Sequence, residues 1–173
     1  MNDVVHAVSA DAARSGEQEF ESVVGPLVEP GLRLAFSMLG DRGEAEDATQ
    51  EAITRAWKRL PQLRDRTHLR PWFLAIVANQ CRNVRRTRWF STVRLADIFR
   101  PVRAAATHVE RVDVARAMAH LPMGDRQVLF MRFYLDLPIE EIAIAMGIST
   151  AAAKGRIYRA CHKLRPELQE DDL

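Results

Sequence analysis

An all-α fold of two small helical domains joined by a flexible linker is what this sequence predicts. Three observations carry it. Apolar residues recur at three-to-four spacing in several separate segments. No segment shows the strict alternation of a half-buried strand. The helical period fails once in mid-chain, over residues 89–108, where Pro101 stands among Arg94, Arg100 and Arg103. A chain of 173 residues, 47% of them hydrophobic, has enough apolar surface for one or two cores.

Residues 1–16 hold no sustained period, and a frayed, disordered leader is expected there. Over 17–39, Phe20, Val23, Val24, Leu27, Val28, Leu32, Ala35, Phe36 and Leu39 mark a helix. Pro26 and Pro30 predict a break or kink around Gly25–Gly31. Residues 43–60 form the cleanest amphipathic helix. Ala45, Ala48, Ala52, Ile53, Ala56, Trp57 and Leu60 make its apolar stripe. Asp47, Gln50, Glu51, Thr54 and Lys58 line another face, and Pro61 stops the helix.

Residues 61–70 read as a basic loop. Pro71 suits the first turn of the next helix, roughly 71–88. Phe73, Ile76, Val77, Cys81 and Val84 share one side of it. Trp72, Ala75, Asn79, Arg82 and Arg86 lie along another. Beyond the linker, helices are expected at 109–120 and 124–135. A short helix starts at Pro138 and closes at Gly147. Ser149 is placed to cap the last helix, which ends before Pro166. The domains are therefore expected at 17–88 and 109–168, with the linker at 89–108 and an acidic tail at 169–173.

The net charge of +2 conceals blocks. Residues 1–30 carry six acidic residues and one basic one. Residues 61–104 carry ten arginines against two aspartates, and 138–165 carry five basic and two acidic residues. Two basic blocks separated by neutral sequence suggest two polyanion-binding surfaces. An ordinary solvated surface is the plain alternative, so the motifs must decide.

Cys81 and Cys161 lie far apart in helical patterns and suit buried reduced thiols. His6, His68, His108, His120 and His162 do not cluster at ligand spacing, so no metal site and no cofactor are expected. There is no Gly-rich phosphate loop, HExxH or nucleophile elbow, and an enzyme is not expected. No secretory signal pattern and no apolar run of membrane-spanning length occurs, which suggests a cytoplasmic protein without membrane insertion.

Residues 138–164 describe a helix-turn-helix: a short helix, a tight turn and a second helix with a basic face. Ile142, Ala143, Met146, Ile148, Ala153 and Ile157 fit its small core. Lys154, Arg156, Tyr158, Arg159 and Lys163 remain for a DNA surface, where arginine can bind guanine bidentately and lysine serves phosphates or guanine. In the first domain, an aromatic, an amide and arginines on one helical stripe supply what unpaired bases need for stacking and strand holding. The loop before them, with Arg66 and His68, and Asn79 could form a pocket for a flipped base.

These stretches resemble the sigma-70 family. LPMGDRQVLFMRFYLDLPIEEIAIAMGIS resembles that family's L-P-x-x-x-R-x-V-x-x-x-R followed by E-E-I-A-x-x-x-G-I-S, and KGRIYRA resembles its recognition helix. Residues 109–165 are thus similar to region 4, the C-terminal promoter-binding domain. DATQEAITRAWKRL resembles the core-polymerase-binding helix of region 2, and PWFLAIVANQCRNVRRTR resembles its helix that binds and opens the −10 element. Two such domains with only a short linker between them resemble the extracytoplasmic-function (ECF) group.

The resemblance implies an alternative sigma factor, a transcription initiation factor that directs core RNA polymerase to promoters. It places Ser149, Lys154, Arg156, Tyr158, Arg159 and Lys163 on the −35 element. It places Arg66, His68, Trp72, Asn79, Arg82, Arg85 and Arg86 on the −10 element during melting. Asp47, Gln50, Glu51 and Lys58 resemble the surface that binds the clamp coiled coil of the largest polymerase subunit. The flap of the second-largest subunit and an anti-sigma factor are further partners that the resemblance implies.

The sequence departs from the family pattern in places. Pro138 stands where serine or threonine is frequent, and Asp136 replaces a frequent glycine, which predicts a slightly different turn. Ala151, Ala152 and Ala153 replace glycine-threonine-valine, and Gly155 replaces a common serine, so the −35 preference is expected to differ. The chief rival is a stand-alone helix-turn-helix regulator with an N-terminal sensing or dimerisation domain. Under it, the Trp72–Asn79–Arg82 stripe has no purpose.

Overall fold

A computed structural model describes residues 2–63, 65–92 and 109–169, with side chains described over 15–63, 65–87, 114 and 116–165. All regular structure among the described residues is helical. In chain order it comprises α1 (Asn2–Leu39), α2 (Arg42–Arg59), α3 (Leu69–Thr92), α4 (Val109–His120), α5 (Met123–Leu129), α6 (Ile139–Met146) and α7 (Thr150–Gln169). A 3₁₀ turn over Leu60–Gln62 follows α2, and a π-helical turn over Phe130–Tyr134 follows α5.

The expected leader and the expected break near Gly25 are both replaced by one helix. Residues 2–16 form the first turns of α1, which passes through Pro26 and Pro30 without interruption. Each proline removes one ladder bond. The helix persists because Val24, Leu34, Ala35 and Met38 bury completely on one face, and each such side chain contributes roughly 1.5–3 kcal/mol where it is large. Gly31 lets that face approach α3 closely: a Cβ there would lie 2.9 Å from Phe73 Cε1.

Asp41 caps α2 by accepting from the Glu44 N–H at 2.9 Å. Ala45, Ala48, Ala52 and Ala56 bury against α1 and α3, and their small size permits the close crossing. Trp57, expected on the apolar stripe, stays 42% exposed and packs edge-on against Phe20 at 5.1 Å. Pro71 does fall in the first turn of α3, where its missing N–H costs nothing. This helix runs beyond its expected end, so residues 89–92 of the expected linker are helical; the remaining linker residues 93–108, with Arg94, Arg100, Pro101 and Arg103, lie outside the described residues.

In the second unit Val128, Leu129, Met131, Leu137, Ile142, Ala143, Ala153 and Ala160 form the core. Asp136 has φ 50, the left-handed conformation that the frequent glycine would supply. The backbone turn expected to differ is therefore kept, because a short polar side chain tolerates that region. Pro166 does not end α7, which continues to Gln169. The carbonyl it leaves without a donor belongs to His162, an exposed residue that water reaches. Residues 170–173 of the expected tail lie outside the described residues.

The two units pack together. Helices α1 and α3 meet α5, α6 and the π turn. Arginines bridge the junction. Arg126 Nη2 donates to the Met38 carbonyl at 2.7 Å, satisfying one of the orphan acceptors at the end of α1. Arg70 Nη2 donates to the Leu135 carbonyl at 2.6 Å. Arg33 donates to the Tyr134 hydroxyl and lies 5.7 Å from that ring's centroid.

Candidate nucleic-acid interface

The helix-turn-helix is built from local rules. Gly147, at φ 65, takes the left-handed position that ends α6, and its N–H bonds back into the last turn. Ser149 then caps α7, its Oγ accepting from the Ala152 N–H at 3.2 Å. Ile142, Ala143 and Ala153 bury at the crossing, while Met146, Ile148 and Ile157 are half-buried around it. This is the core that the sequence predicts.

The crossing leaves one face of α7 outward. Lys154 and Arg159 are exposed, and Tyr158 is 72% exposed. An aromatic ring that far from any core has no packing role in the chain itself. The Arg159 guanidinium folds over Gly155, where a Cβ would meet Nη1 at 3.2 Å; the common serine would crowd it. Arg156 and Lys163 differ. Both approach Asp125 of α5, Lys163 Nζ at 2.6 Å and Arg156 Nε at 3.7 Å.

The second basic surface runs along α3 and the loop before it. Arg66 and His68 are exposed in that loop, and Arg66 pairs with Glu19 of α1. Trp72 is half-buried against the core, so packing and a base-facing edge coexist in one side chain. Asn79 is exposed and accepts from Arg82 Nη2 at 2.6 Å. Arg85 and Arg86 are exposed on the same length of helix. Arg82 also reaches the second unit, donating through Nη1 to Gln127 Oε1 at 3.0 Å. Burial pulls its pKa below the usual guanidinium value, and the nearby charge of Arg156 acts the same way. Arg126 is lowered likewise, by burial and by Arg85. The junction therefore gathers positive charge from both units.

On α2, Asp47, Gln50, Glu51 and Lys58 are all exposed. Glu51 pairs with Arg55 one turn on, at 2.7 Å. Asp47 and Glu51 edge a groove floored by Ala48 and Val84, with Gln80, Asn83 and Thr87 of α3 on its far side. Among the described residues no group of three His, Cys, Asp or Glu side chains is placed to hold a metal ion. No described helix is long and apolar enough to cross a membrane. Cys81 is buried as expected, while Cys161 is only half-buried.

Sequence reasoning missed Asp125 and Gln127. Asp125 sits inside the LPMGDRQV motif, where only the leucine, proline, Arg126 and Val128 match the family pattern, and its partners lie more than thirty positions away.

The chain matches the family model of sigma-70 region 2 over residues 25–91 and that of sigma-70 region 4 over residues 111–164. It is 30% identical over 144 residues to RNA polymerase sigma factor SigV of Bacillus subtilis, covering 82% of this chain and 86% of SigV. It is 28% identical over 177 residues to the ECF RNA polymerase sigma factor SigC of Mycobacterium tuberculosis, covering 99% and 95%. Among solved structures, the sigma factor RpoE of Bartonella quintana, in complex with the anti-sigma factor NepR, is similar in fold. Its TM-score is 0.77, with 19% identity over 88% of this chain and 98% of that one. CnrH, solved with the cytosolic domain of CnrY, gives a TM-score of 0.69 and 25% identity over 95% and 97%. The region 2 match removes the stand-alone regulator, whose N-terminal domain would be of another kind. The relatives named here are sigma factors rather than enzymes. The chain belongs to the sigma-70 family of RNA polymerase sigma factors, in its ECF group.

Proposed function

We propose that this chain binds core RNA polymerase, carries it to specific promoters through the −35 and −10 elements, and helps to melt the −10 region. The observation that carries this reading is the pair of basic helical surfaces on two different units, one on α7 and one on α3, in the order of regions 4 and 2. They offer different chemistry. An exposed helix after a tight turn suits the major groove of a duplex. A loop and helix carrying Arg66, His68, Trp72, Asn79, Arg82, Arg85 and Arg86 suit an opened strand, which needs stacking edges and backbone charge.

On the −35 duplex, Lys154 and Arg159 reach base edges, Tyr158 and Ser149 lie alongside, and Arg156 serves phosphate through its outer edge. Asp47, Gln50, Glu51 and Lys58 of α2 form the handle for the clamp coiled coil, and the second unit meets the flap of the second-largest subunit. Arg82 is bonded to Gln127, so its contact with a strand requires the two units to part. RpoE and CnrH were each solved with a partner, an anti-sigma factor in the case of RpoE. An anti-sigma factor for this chain follows by likeness, and the cytoplasm is its place of action because its polymerase is there.

Transcription in vitro with core polymerase, on a promoter selected by the reconstituted enzyme from random sequence, tests the reading. Arg159→Ala is expected to weaken binding at the selected −35 element by about 1–3 kcal/mol. Equal activity of the variant and the parent chain on that promoter would overturn the assignment of α7 to the −35 duplex.

A further inference from the structure

Asp125 is a carboxylate with no place in the DNA-facing set. Its residue is 6% exposed, in the first turn of α5, directly beneath α7. Two cations of α7 converge on it. Lys163 Nζ lies 2.6 Å from Oδ2, and Arg156 Nε lies 3.7 Å from Oδ1. These two residues stand seven positions apart, two turns along one face of the helix. The Arg156 guanidinium also lies across Gly124: a Cβ there would be 3.0 Å from Nη2 and 3.3 Å from Cζ. The rest of the hollow around Asp125 is made by Ile148, Ala152 and Arg159.

We propose that Asp125 is a positioning residue for the recognition helix: its buried carboxylate holds Lys163 and the stem of Arg156 against α5. The DNA face of α7 is thereby narrowed to Lys154, Tyr158, Arg159 and the outer edge of Arg156. This deepens the assignment of α7 to the −35 duplex and rests on it. The consequence is one of specificity. Affinity for any DNA rises with each cation that meets a phosphate, without regard to sequence. A carboxylate that withholds one cation and tethers another lowers that indifferent attraction and leaves base edges to decide. A long side chain pinned along its stem also meets its base or phosphate in one geometry, with less entropy to lose.

The test uses the full chain assembled with core RNA polymerase. Two duplexes serve as probes: a promoter that this enzyme selects from random sequence, and the same duplex with its −35 element scrambled. Binding is followed against salt concentration for the parent chain, Asp125→Asn, Lys163→Gln, and the two changes combined. Asp125→Asn is expected to steepen the slope of log affinity against log salt by about 1 to 2, at about 0.9 per phosphate gained. Binding to the scrambled duplex rises at least threefold, and discrimination between the two duplexes falls. Lys163→Gln then lowers the slope by about 0.9 in the Asp125→Asn background and by clearly less in the parent, where Lys163 is already engaged.

If Lys163→Gln lowers the slope equally in both backgrounds, Lys163 is a plain phosphate contact and the proposal fails. Should Asp125→Asn fold poorly, seen as a lowered thermal midpoint, Lys163→Gln in the parent chain decides alone: a full drop of about 0.9 overturns the proposal. Lys154→Gln separates this failure from that of the underlying assignment. If Lys154→Gln leaves the slope where it was, α7 does not meet DNA, whatever Asp125 does. A purely structural role for Asp125 would lower the midpoint and leave the salt slope untouched.

Discussion

Asp136 and Cys81 show how single residues answer to their surroundings. Asp136 keeps a left-handed turn that glycine would make at no steric cost, and the π turn before it closes through the Leu135 N–H to the Phe130 carbonyl at 3.0 Å. Cys81 is fully buried on α3, and burial pushes its thiol from 9.0 up to about 12. The folded chain therefore holds the neutral thiol, while the unfolded chain ionises near the ordinary value. This contribution to stability is complete below pH 9.0 and is lost as the pH rises toward about 12. Cys81→Ala is expected to flatten the decline of unfolding free energy above pH 9.0, measured by urea titration at several pH values. In the parent chain, alkylation of Cys81 is expected only on unfolding, whereas the half-buried Cys161 reacts sooner.

At the scale of an element, α1 sets two glycines against each other. Gly25 faces solvent, and a Cβ there would meet nothing nearer than Glu21 Cγ at 3.9 Å. Gly25→Ala is expected to stabilise the chain by about 0.5–1 kcal/mol through helix propensity. Gly31 faces the buried Phe73 ring at 2.9 Å and Val77 Cγ2 at 3.2 Å. Neither neighbour has a free end to yield, so Gly31→Ala is expected to cost about 1–3 kcal/mol despite the same gain in propensity. Urea midpoints of the two variants on opposite sides of the parent would bear this out; two shifts of the same sign would show that α1 does not lie on α3 in this way.

Across the whole molecule, the junction between the units is polar and rich in arginine. Arg126 is 8% exposed and supplies the Met38 carbonyl with its partner. Arg126→Ala is expected to cost about 1–3 kcal/mol by leaving a buried acceptor unpaired. It should also loosen the junction, read as a larger radius of gyration in small-angle scattering. An unchanged radius with lowered stability would place the effect within one unit. Polar junctions of this sort separate more readily than apolar ones, which suits a molecule whose two DNA surfaces must address separate elements of a promoter.

The helix-turn-helix was legible in the chain because each of its parts is local. Gly147 ends α6, Ser149 caps α7, and Ile142, Ala143 and Ala153 repeat at helical spacing. The all-helical class, the two-unit order and the exposed Lys154, Tyr158 and Arg159 follow from the same short-range rules. What lay beyond them depended on partners distant in sequence. Pro26 and Pro30 announce a break by their own chemistry, and only packing of Leu34, Ala35 and Met38 against α2 and α3 overrides it. Arg82 and Lys163 read alike as exposed cations, yet one bonds Gln127 forty-five positions away and the other Asp125 thirty-eight positions away. A periodic pattern specifies which face of a helix is apolar, since that depends on neighbours three and four residues off. Which cation on that helix is free for DNA is decided by what the other helices bring beneath it, and only the tertiary structure holds that.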